Sequence, residues 1–165
     1  METIEFPING GVTIIDEGDL CVAHLFGWNV WTSTTKGSQR SYATGSVMRG
    51  GRRCSVRLHR LIARPRPGLF VDHINGNGLD NRRVNLRVCS HKENTRNRDI
   101  HSWRDLPKGV SRTQRGRPFV ARIAFDGRII NIGRYDTPDD AARAYDKAAS
   151  FHFGQFARLN FPAVR

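Results

Sequence analysis

The apolar positions change period along the chain, and each change marks a new group of elements. Between residues 3 and 35, β-branched and aromatic side chains alternate with glycine turns. Val12-Thr13-Ile14-Ile15 reads there as a strand, closed by the turn-prone Asp16-Glu17-Gly18-Asp19. Leu20 to Phe26 is too short for periodicity to separate helix from strand. Trp28, Val30 and Trp31 predict a further strand, and Tyr42-Ala43-Thr44 another after the polar loop Thr34–Arg40. In Arg52 to Ala63 a basic strand passes into an apolar segment with Leu58, Leu61 and Ile62 at helical spacing, which Pro65 and Pro67 end.

From Leu69 to Arg98 the pattern predicts strand, loop, strand and helix. Leu69-Phe70-Val71 is a short apolar strand that delivers Asp72 and His73 at its end. Asn75-Gly76 and Asn77-Gly78 are turn pairs tolerant of positive φ, so Ile74 to Val84 reads as loop. Leu86-Arg87-Val88-Cys89 alternates as a second strand. Ser90-His91-Lys92-Glu93 then has the capping-box spacing, Ser90 as N-cap and Glu93 at the third helical position. The helix that follows would carry Asn94, Asn97 and Arg98 on one face. Asp99 to Lys108 is mixed and polar and is the best candidate for a domain boundary.

A second β pattern starts at Gly109. Phe119 to Phe125 and Arg128 to Ile132 flank Asp126-Gly127, a strong two-residue hairpin signal. Pairing across that turn sets Arg122 opposite Asn131 and Ala124 opposite Ile129, on one face with Val120. Phe119, Ala121, Ile123, Phe125, Ile130 and Ile132 fall on the other face, which is apolar enough for a core. Thr137-Pro138-Asp139-Asp140 is a helix start, and Ala141, Ala144, Tyr145, Ala148 and Ala149 repeat at helical spacing. Small side chains there permit close docking on the sheet, and Gly154 offers a stop. The opposite sheet face, with Arg112, Arg115, Arg117 and Arg122, is left exposed and basic.

Charge sharpens this division. The 165 residues carry 27 Lys and Arg against 15 Asp and Glu, a net charge of +12. Residues 1–50 hold 3 basic and 5 acidic side chains, residues 51–100 hold 12 and 4, and residues 101–165 hold 12 and 6. Lys36, Lys92, Lys108 and Lys147 apart, the basic residues are arginine, whose planar fork engages phosphate or guanine edges bidentately. A polyanionic partner follows. Cys21, Cys54 and Cys89 lie far apart without a CxxC pair, which argues against a disulfide framework or a four-cysteine zinc site and fits a reducing compartment. A structural zinc module would need more ligands than His91, Cys89 and Cys54 bring together. No apolar run reaches the roughly 18 residues of a membrane span, and Met1 precedes acidic, mixed sequence. The expectation is a soluble, cytoplasmic protein (in the host cytoplasm if phage-encoded) with no membrane and no evident obligate protein partner.

Phosphodiester hydrolysis needs an activated water, charge neutralisation at phosphorus and help for the leaving 3′-oxygen. A single Mg²⁺ or Mn²⁺ supplies the last two when one or two protein oxygens hold it. Asp72 is the obvious carboxylate ligand, and Asn94 can add a neutral amide oxygen. His73 points to the other side of the strand but at its frayed end can flank the same phosphate; an ordinary pKa near ~6.5 suits it to deprotonate water. Arg82, Arg83, Arg87, Arg96 and Arg98 flank the site as candidate DNA-binding residues. His59, between Leu58 and Arg60, is more often a packing or phosphate-contacting residue than a catalyst. Asp16 and Asp19 are read as turn acids outside the site.

Asp72-His73, Asn85 at the opening of the second strand, and Asn94 in the helix closely resemble the HNH (ββα-metal) endonuclease motif. The wider string VDHINGNGLDNRRVNLRVCSHKENTRNR, LHRLIA before it and VTIIDEGD near the N-terminus are similar to phage and intron-encoded HNH endonucleases of the homing type. The resemblance implies His73 as general base, Asp72 and Asn94 as metal ligands, and Asn85 as the catalytic-motif residue that braces the loop. The third motif position is often His in that family and is Asn94 here. Lys108 to Pro162 resembles an APETALA2-type DNA-binding domain in KGV, FVARI, IGRYDTPDDAARAYDKAA and FGQFARLNFP. That implies a sheet laid in the DNA major groove, with Arg122, Ile129 and Asn131 at contacting positions and Arg112, Arg115 and Arg117 on or near the first strand and its turn. Asn131 stands where the plant domains usually have tryptophan.

The expected architecture is α+β: an N-terminal mixed β segment (1–50), a ββα-metal unit (51–99), then a three-stranded antiparallel sheet packed on one helix (108–162). The expected function is metal-dependent cleavage of double-stranded DNA, homing or nicking, with the C-terminal sheet gripping the duplex. The alternative is a non-catalytic DNA-binding regulator with a decayed nuclease unit.

Overall fold

The computed structural model describes residues 2–35, 38–97, 105–114 and 116–162. Their elements are α+β with short antiparallel sheets, and the chain separates into two compact units, Met1–Asn94 and Thr95–Arg165.

The first unit begins with a hairpin of β1 (Thr3–Ile8) and β2 (Gly11–Asp16), its turn taken by Gly10 at φ 88°. Asp16-Glu17-Gly18-Asp19 forms not an open turn but a 3-10 turn over Glu17–Asp19, running into the short helix α1 (Leu20–Ala23). Next comes a sheet in the order β3 (Asn29–Thr35), β4 (Ser38–Arg49) and β5 (Arg52–Arg57). β4 extends past β3, so Met48 to Arg53 form an exposed hairpin tip that turns on Gly50 and Gly51, at φ 54° and 74°. Two consecutive positive φ values suit the right-handed twist of the flanking strands. Helix α2 (Leu58–Ala63) ends at Arg64, itself at φ 46°, one residue before Pro65. Ile15, Val22, Ala23, Trp28, Ala43, Leu58 and Ile62 make the core, so the N-terminal hairpin, the sheet and α2 share one interior. The Trp28 indole N–H, which burial would otherwise orphan, donates to the Ala23 carbonyl at 2.8 Å.

Against this frame lies the hairpin of β6 (Phe70–His73) and β7 (Leu86–Cys89), joined by a connection over residues 74–85 and followed by α3 (His91–Arg96). The capping box forms as the spacing predicts. Glu93 N–H donates to Ser90 Oγ at 3.3 Å, and Glu93 Oε2 accepts from the Ser90 N–H at 2.8 Å. The helix stops at Arg96, so Asn97 sits in a turn beyond it, and Arg98 lies outside the described residues.

The second unit is a sheet in the order β10 (Arg128–Tyr135), β9 (Phe119–Phe125), β8 (Val110–Arg112), with α4 (Pro138–Phe153) across one face. Asp126 and Gly127, at φ 47° and 75°, make the predicted tight turn, and Arg122 pairs with Asn131 and Ala124 with Ile129. A register shift between Asn131 and Gly133 places Ile132 in a bulge. Ala121, Ile123, Ala141, Ala142, Tyr145 and Ala149 are buried between sheet and helix. Thr137 caps α4, accepting from the Asp140 N–H at 3.1 Å. Buried Asp146 then ties down the tail, accepting from the backbone N–H groups of Asn160 and Phe161 at 2.9 Å each.

Candidate active site

β6 brings Asp72 and His73 to its end, both buried. Strand alternation sends them to opposite faces: Asp72 pairs with Arg87 and His73 with Leu86. The Asp72 carboxylate receives the Arg87 guanidinium on Oδ2, from Nε at 2.9 Å and Nη2 at 2.6 Å. Arg87, expected among the arginines that flank the site as DNA-binding candidates, is only 10% exposed and lies inside it, paired with Asp72.

His73 is enclosed by aromatic rings. His59, from the first turn of α2, meets it edge-on with centroids 4.9 Å apart, and Tyr42 from β4 lies 6.0 Å away. Burial lowers the His73 pKa below its usual 6.5, against the opposing pull of the Asn81 hydrogen bond and the Asp72 and Asp80 charges. His59 drops further, to about 3, chiefly through burial and then through His73, Arg57 and Arg60. Both imidazoles are therefore neutral at physiological pH. His59 Nδ1 is buried without a hydrogen-bond partner among the described residues. Beyond the rings, the Arg57 guanidinium stacks 5.0 Å from Tyr42 and 5.5 Å from Trp31.

The connection between β6 and β7 is held by its own amides. Asn85 accepts from the Asn75 N–H at 3.0 Å and donates to Asn75 Oδ1 at 3.0 Å and the Asp80 carbonyl at 2.8 Å, bracing the loop. Asp80, 2% exposed, takes the Arg82 guanidinium in a bidentate pair at 2.8 and 2.6 Å. That pairing holds its carboxyl below the usual range. The loop is also sewn onto β2. Ile14 N–H donates to the Leu79 carbonyl at 2.8 Å, and Asn81 N–H donates to the Ile14 carbonyl at 2.7 Å. Asp16 accepts from the Arg83 N–H, while Asp19 grips the Arg83 guanidinium at 2.9 and 2.6 Å. Asp16 and Asp19 are thus clamps on the loop, which accounts for two acids that the sequence reading left outside the site.

The oxygen donors present suit a hard divalent cation. Asp72 offers a buried carboxylate and Asn94, half-buried in α3, a neutral amide oxygen. Mg²⁺ characteristically takes one or two protein oxygens and keeps waters on its other positions. Among the described residues no three His, Cys, Asp or Glu side chains gather into a metal-binding group. A cation at Asp72 must also share that carboxylate with Arg87.

The other candidate DNA-binding residues divide. Arg82 and Arg83 are partly exposed but each is paired with an aspartate, and Arg96 lies 4.6 Å over the Phe153 ring. Arg122 and Asn131 are exposed cross-strand neighbours on the face of the second unit away from α4. Arg112 is not on that face. It pairs with Phe119, on the core side of the sheet, and its guanidinium stands 5.8 Å over that ring. Arg117 lies in the turn before β9 and meets Asp136 at 3.4 Å, while Arg115, like Arg98, lies outside the described residues. The sequence reading did not single out Thr13, Tyr42 and Asn81 around His73, or the exposed Arg49, Arg52 and Arg53 at the β4–β5 tip. The Gly50-Gly51 pair was the available signal for that hairpin.

Residues 56–96, from the end of β5 through α3, match the family model described as HNH endonuclease. A protein of Acanthamoeba polyphaga mimivirus, named as an uncharacterized HNH endonuclease, is 30% identical over 111 residues, covering 64% of this chain and 57% of its own length. The chain therefore spans little more than half of that relative. No solved structure matches. Asp72, His73, Asn85 and Asn94 all fall within the matched segment, and residues 56–96 constitute an HNH endonuclease domain in a chain with a viral HNH endonuclease as homologue.

Proposed function

We propose that the protein is a metal-dependent endonuclease that hydrolyses phosphodiester bonds in double-stranded DNA. The observation that carries this reading is the neutral, enclosed His73 beside Asp72 at the end of β6, with Asn94 supplied by the capped helix that follows. His73 takes a proton from the attacking water, whose oxygen bonds to phosphorus as the bond to the 3′-oxygen breaks. When held by Asp72 and Asn94, Mg²⁺ or Mn²⁺ supplies charge neutralisation at the phosphate and assistance to the leaving oxygen. Asn85 fixes the loop between the strands, so that His73 and Asp72 keep their relation while DNA binds.

The second unit is the proposed grip. The likeness of residues 108–162 to APETALA2-type domains supports this, as does a sheet whose helix covers one face and leaves Arg122, Ile129 and Asn131 exposed on the other. In the first unit, the exposed tip carrying Arg49, Arg52 and Arg53 adds a second basic surface, and a two-stranded ribbon fits a major groove.

Supercoiled plasmid incubated with the purified protein and Mg²⁺ tests the reading. Nicked or linear product is expected with Mg²⁺ and none with EDTA. His73→Ala should lose cutting by about 10²-fold or more yet retain DNA in a gel shift. Cutting by His73→Ala at the wild-type rate refutes the base assignment. Retention of DNA by a wild-type chain that never cuts favours the regulator reading instead.

A further inference from the structure

Three buried polar side chains run in line from the N-terminal hairpin to the imidazole of His73. Thr13 on β2 and Asn81 in the loop are both 0% exposed, and His73 is 6% exposed. Their hydrogen bonds admit one arrangement of protons. A hydroxyl has a single proton to give, and Thr13 Oγ1 gives it to the Leu79 carbonyl at 2.7 Å. The Thr13 lone pairs then accept from Asn81 Nδ2, also at 2.7 Å. With the amide nitrogen placed there, Asn81 Oδ1 is the atom that faces His73 Nε2, at 3.2 Å. An amide oxygen only accepts, so this contact is a hydrogen bond when Nε2 carries the hydrogen. Turning the amide over would set two acceptors, Asn81 Oδ1 and the Leu79 carbonyl, against the one Thr13 proton. The Leu79 carbonyl would keep its bond from the Ile14 N–H, but one of the two oxygens would then face Thr13 Oγ1 at 2.7 Å with no hydrogen between them, a repulsive contact that the observed arrangement avoids.

We infer that Thr13 and Asn81 are positioning residues that hold neutral His73 as its Nε2–H tautomer and so assign Nδ1 as the nitrogen that receives the proton from water. The inference deepens the nuclease reading and rests on it for the role of the proton. An oxygen–hydrogen bond of water breaks, its proton goes to Nδ1, and its oxygen bonds to phosphorus. The bond from phosphorus to the 3′-oxygen breaks in turn, and that oxygen takes a proton from solvent. His73 then releases its added proton to solvent. The Asn81 contact survives in the imidazolium, which donates from both nitrogens, so the ring need not turn during the cycle. The backbone bonds of Ile14, next to Thr13, set the spacing, because its N–H donates to the Leu79 carbonyl and its carbonyl accepts from the Asn81 N–H. This gives β2, far from the motif in sequence, a stated part in the chemistry.

Long-range ¹H–¹⁵N correlation spectra of the full chain, ¹⁵N-labelled at histidine and free of DNA and metal, read the tautomer at pH 8. The chain has 6 histidines, and the His73 signals are those absent from His73→Ala. The expected result is a proton on Nε2 in the wild type. Thr13→Val should lose the single tautomer and lower plasmid turnover in Mg²⁺ by about tenfold or more, and Thr13→Ser should restore both. Asn81→Leu removes the acceptor facing Nε2 and should likewise lose the single tautomer, which supplies the test if Thr13→Val does not fold. A wild-type proton on Nδ1 overturns the inference, as does a folded Thr13→Val with an unchanged tautomer and turnover. Because the spectrum needs no cutting, a chain that shows Nε2–H but leaves plasmid intact counts against the nuclease reading alone.

Discussion

His59 and His73 are packed ring against ring where neither is readily protonated, and this makes them acid-sensitive elements of the fold. In the unfolded chain each titrates near 6.5, whereas folded His59 titrates at about 3 and folded His73 below 6.5. Between those values the unfolded state binds more protons, so the stability present above pH 6.5 is lost as pH falls through that window. The slope is at most about 1.4 kcal/mol per pH unit for each group. His59→Leu should flatten this loss between pH 7 and pH 4.5 in urea titrations, and an unchanged pH dependence would refute the account. Arg87 carries a second prediction. Arg87→Leu leaves Asp72 buried without its cation and should cost about 3–5 kcal/mol in EDTA. Mg²⁺ or Mn²⁺ should then raise the melting temperature of Arg87→Leu more than that of the wild type, since the ion no longer shares the carboxylate. Equal shifts would place the ion elsewhere. At this scale the strand end that carries Asp72 and His73 and the capped start of the helix that carries Asn94 were legible in the sequence, because both are local patterns. Thr13 and Asn81 were not, because a hydrogen bond spanning 68 residues leaves no local signature.

The elements repeat this contrast. The capping box, the Asp126-Gly127 hairpin and the Thr137 helix start all rest on interactions within a few residues, and they form where the spacing puts them. Asn77-Gly78 shows what such reasoning misses. Positive φ is used at Gly76, at 80°, whereas Gly78 is required for room: a Cβ there would lie 2.3 Å from the Ser41 carbonyl and 2.6 Å from the Tyr42 ring. The loop between β6 and β7 therefore packs its backbone directly on β4. Gly78→Ala should destabilise the first unit by about 1–3 kcal/mol and disturb the His73 signals, because Tyr42 touches both imidazoles. Thermal unfolding together with the histidine spectrum checks this. A variant with wild-type values in both would mean that the loop tolerates the side chain. In the second unit the corresponding position is Gly109, where a Cβ would meet the Tyr145 ring at 1.9 Å; neither contact can be foreseen before the partner strand or helix is placed.

On the scale of the whole molecule, a net charge of +12 overstates what is available to DNA. Arg82, Arg83 and Arg87 are each bound to an aspartate, so their charges serve first to hold the loop and the site. Among the exposed arginines outside these three pairs are Arg49, Arg52 and Arg53 at the β4–β5 tip of the first unit and Arg122 on the open sheet face of the second. This sorting predicts a ranking in salt-dependent binding. Arg122→Ala should weaken DNA retention more than Arg143→Ala, whose guanidinium is engaged 4.6 Å over Phe161 and which belongs to the helix across the sheet's other face. Arg52→Ala with Arg53→Ala should lower the slope of log affinity against log salt by about one for each phosphate contact removed. Arg83→Ala should change that slope little but lower thermal stability, since its loss leaves Asp19 buried without its ion pair. Electrophoretic titration of one duplex across a salt series distinguishes these roles. An Arg83→Ala slope change as large as that of the Arg52 and Arg53 pair would show that the buried aspartates release their arginines to DNA, so that loop clamping and phosphate binding would compete for the same side chains.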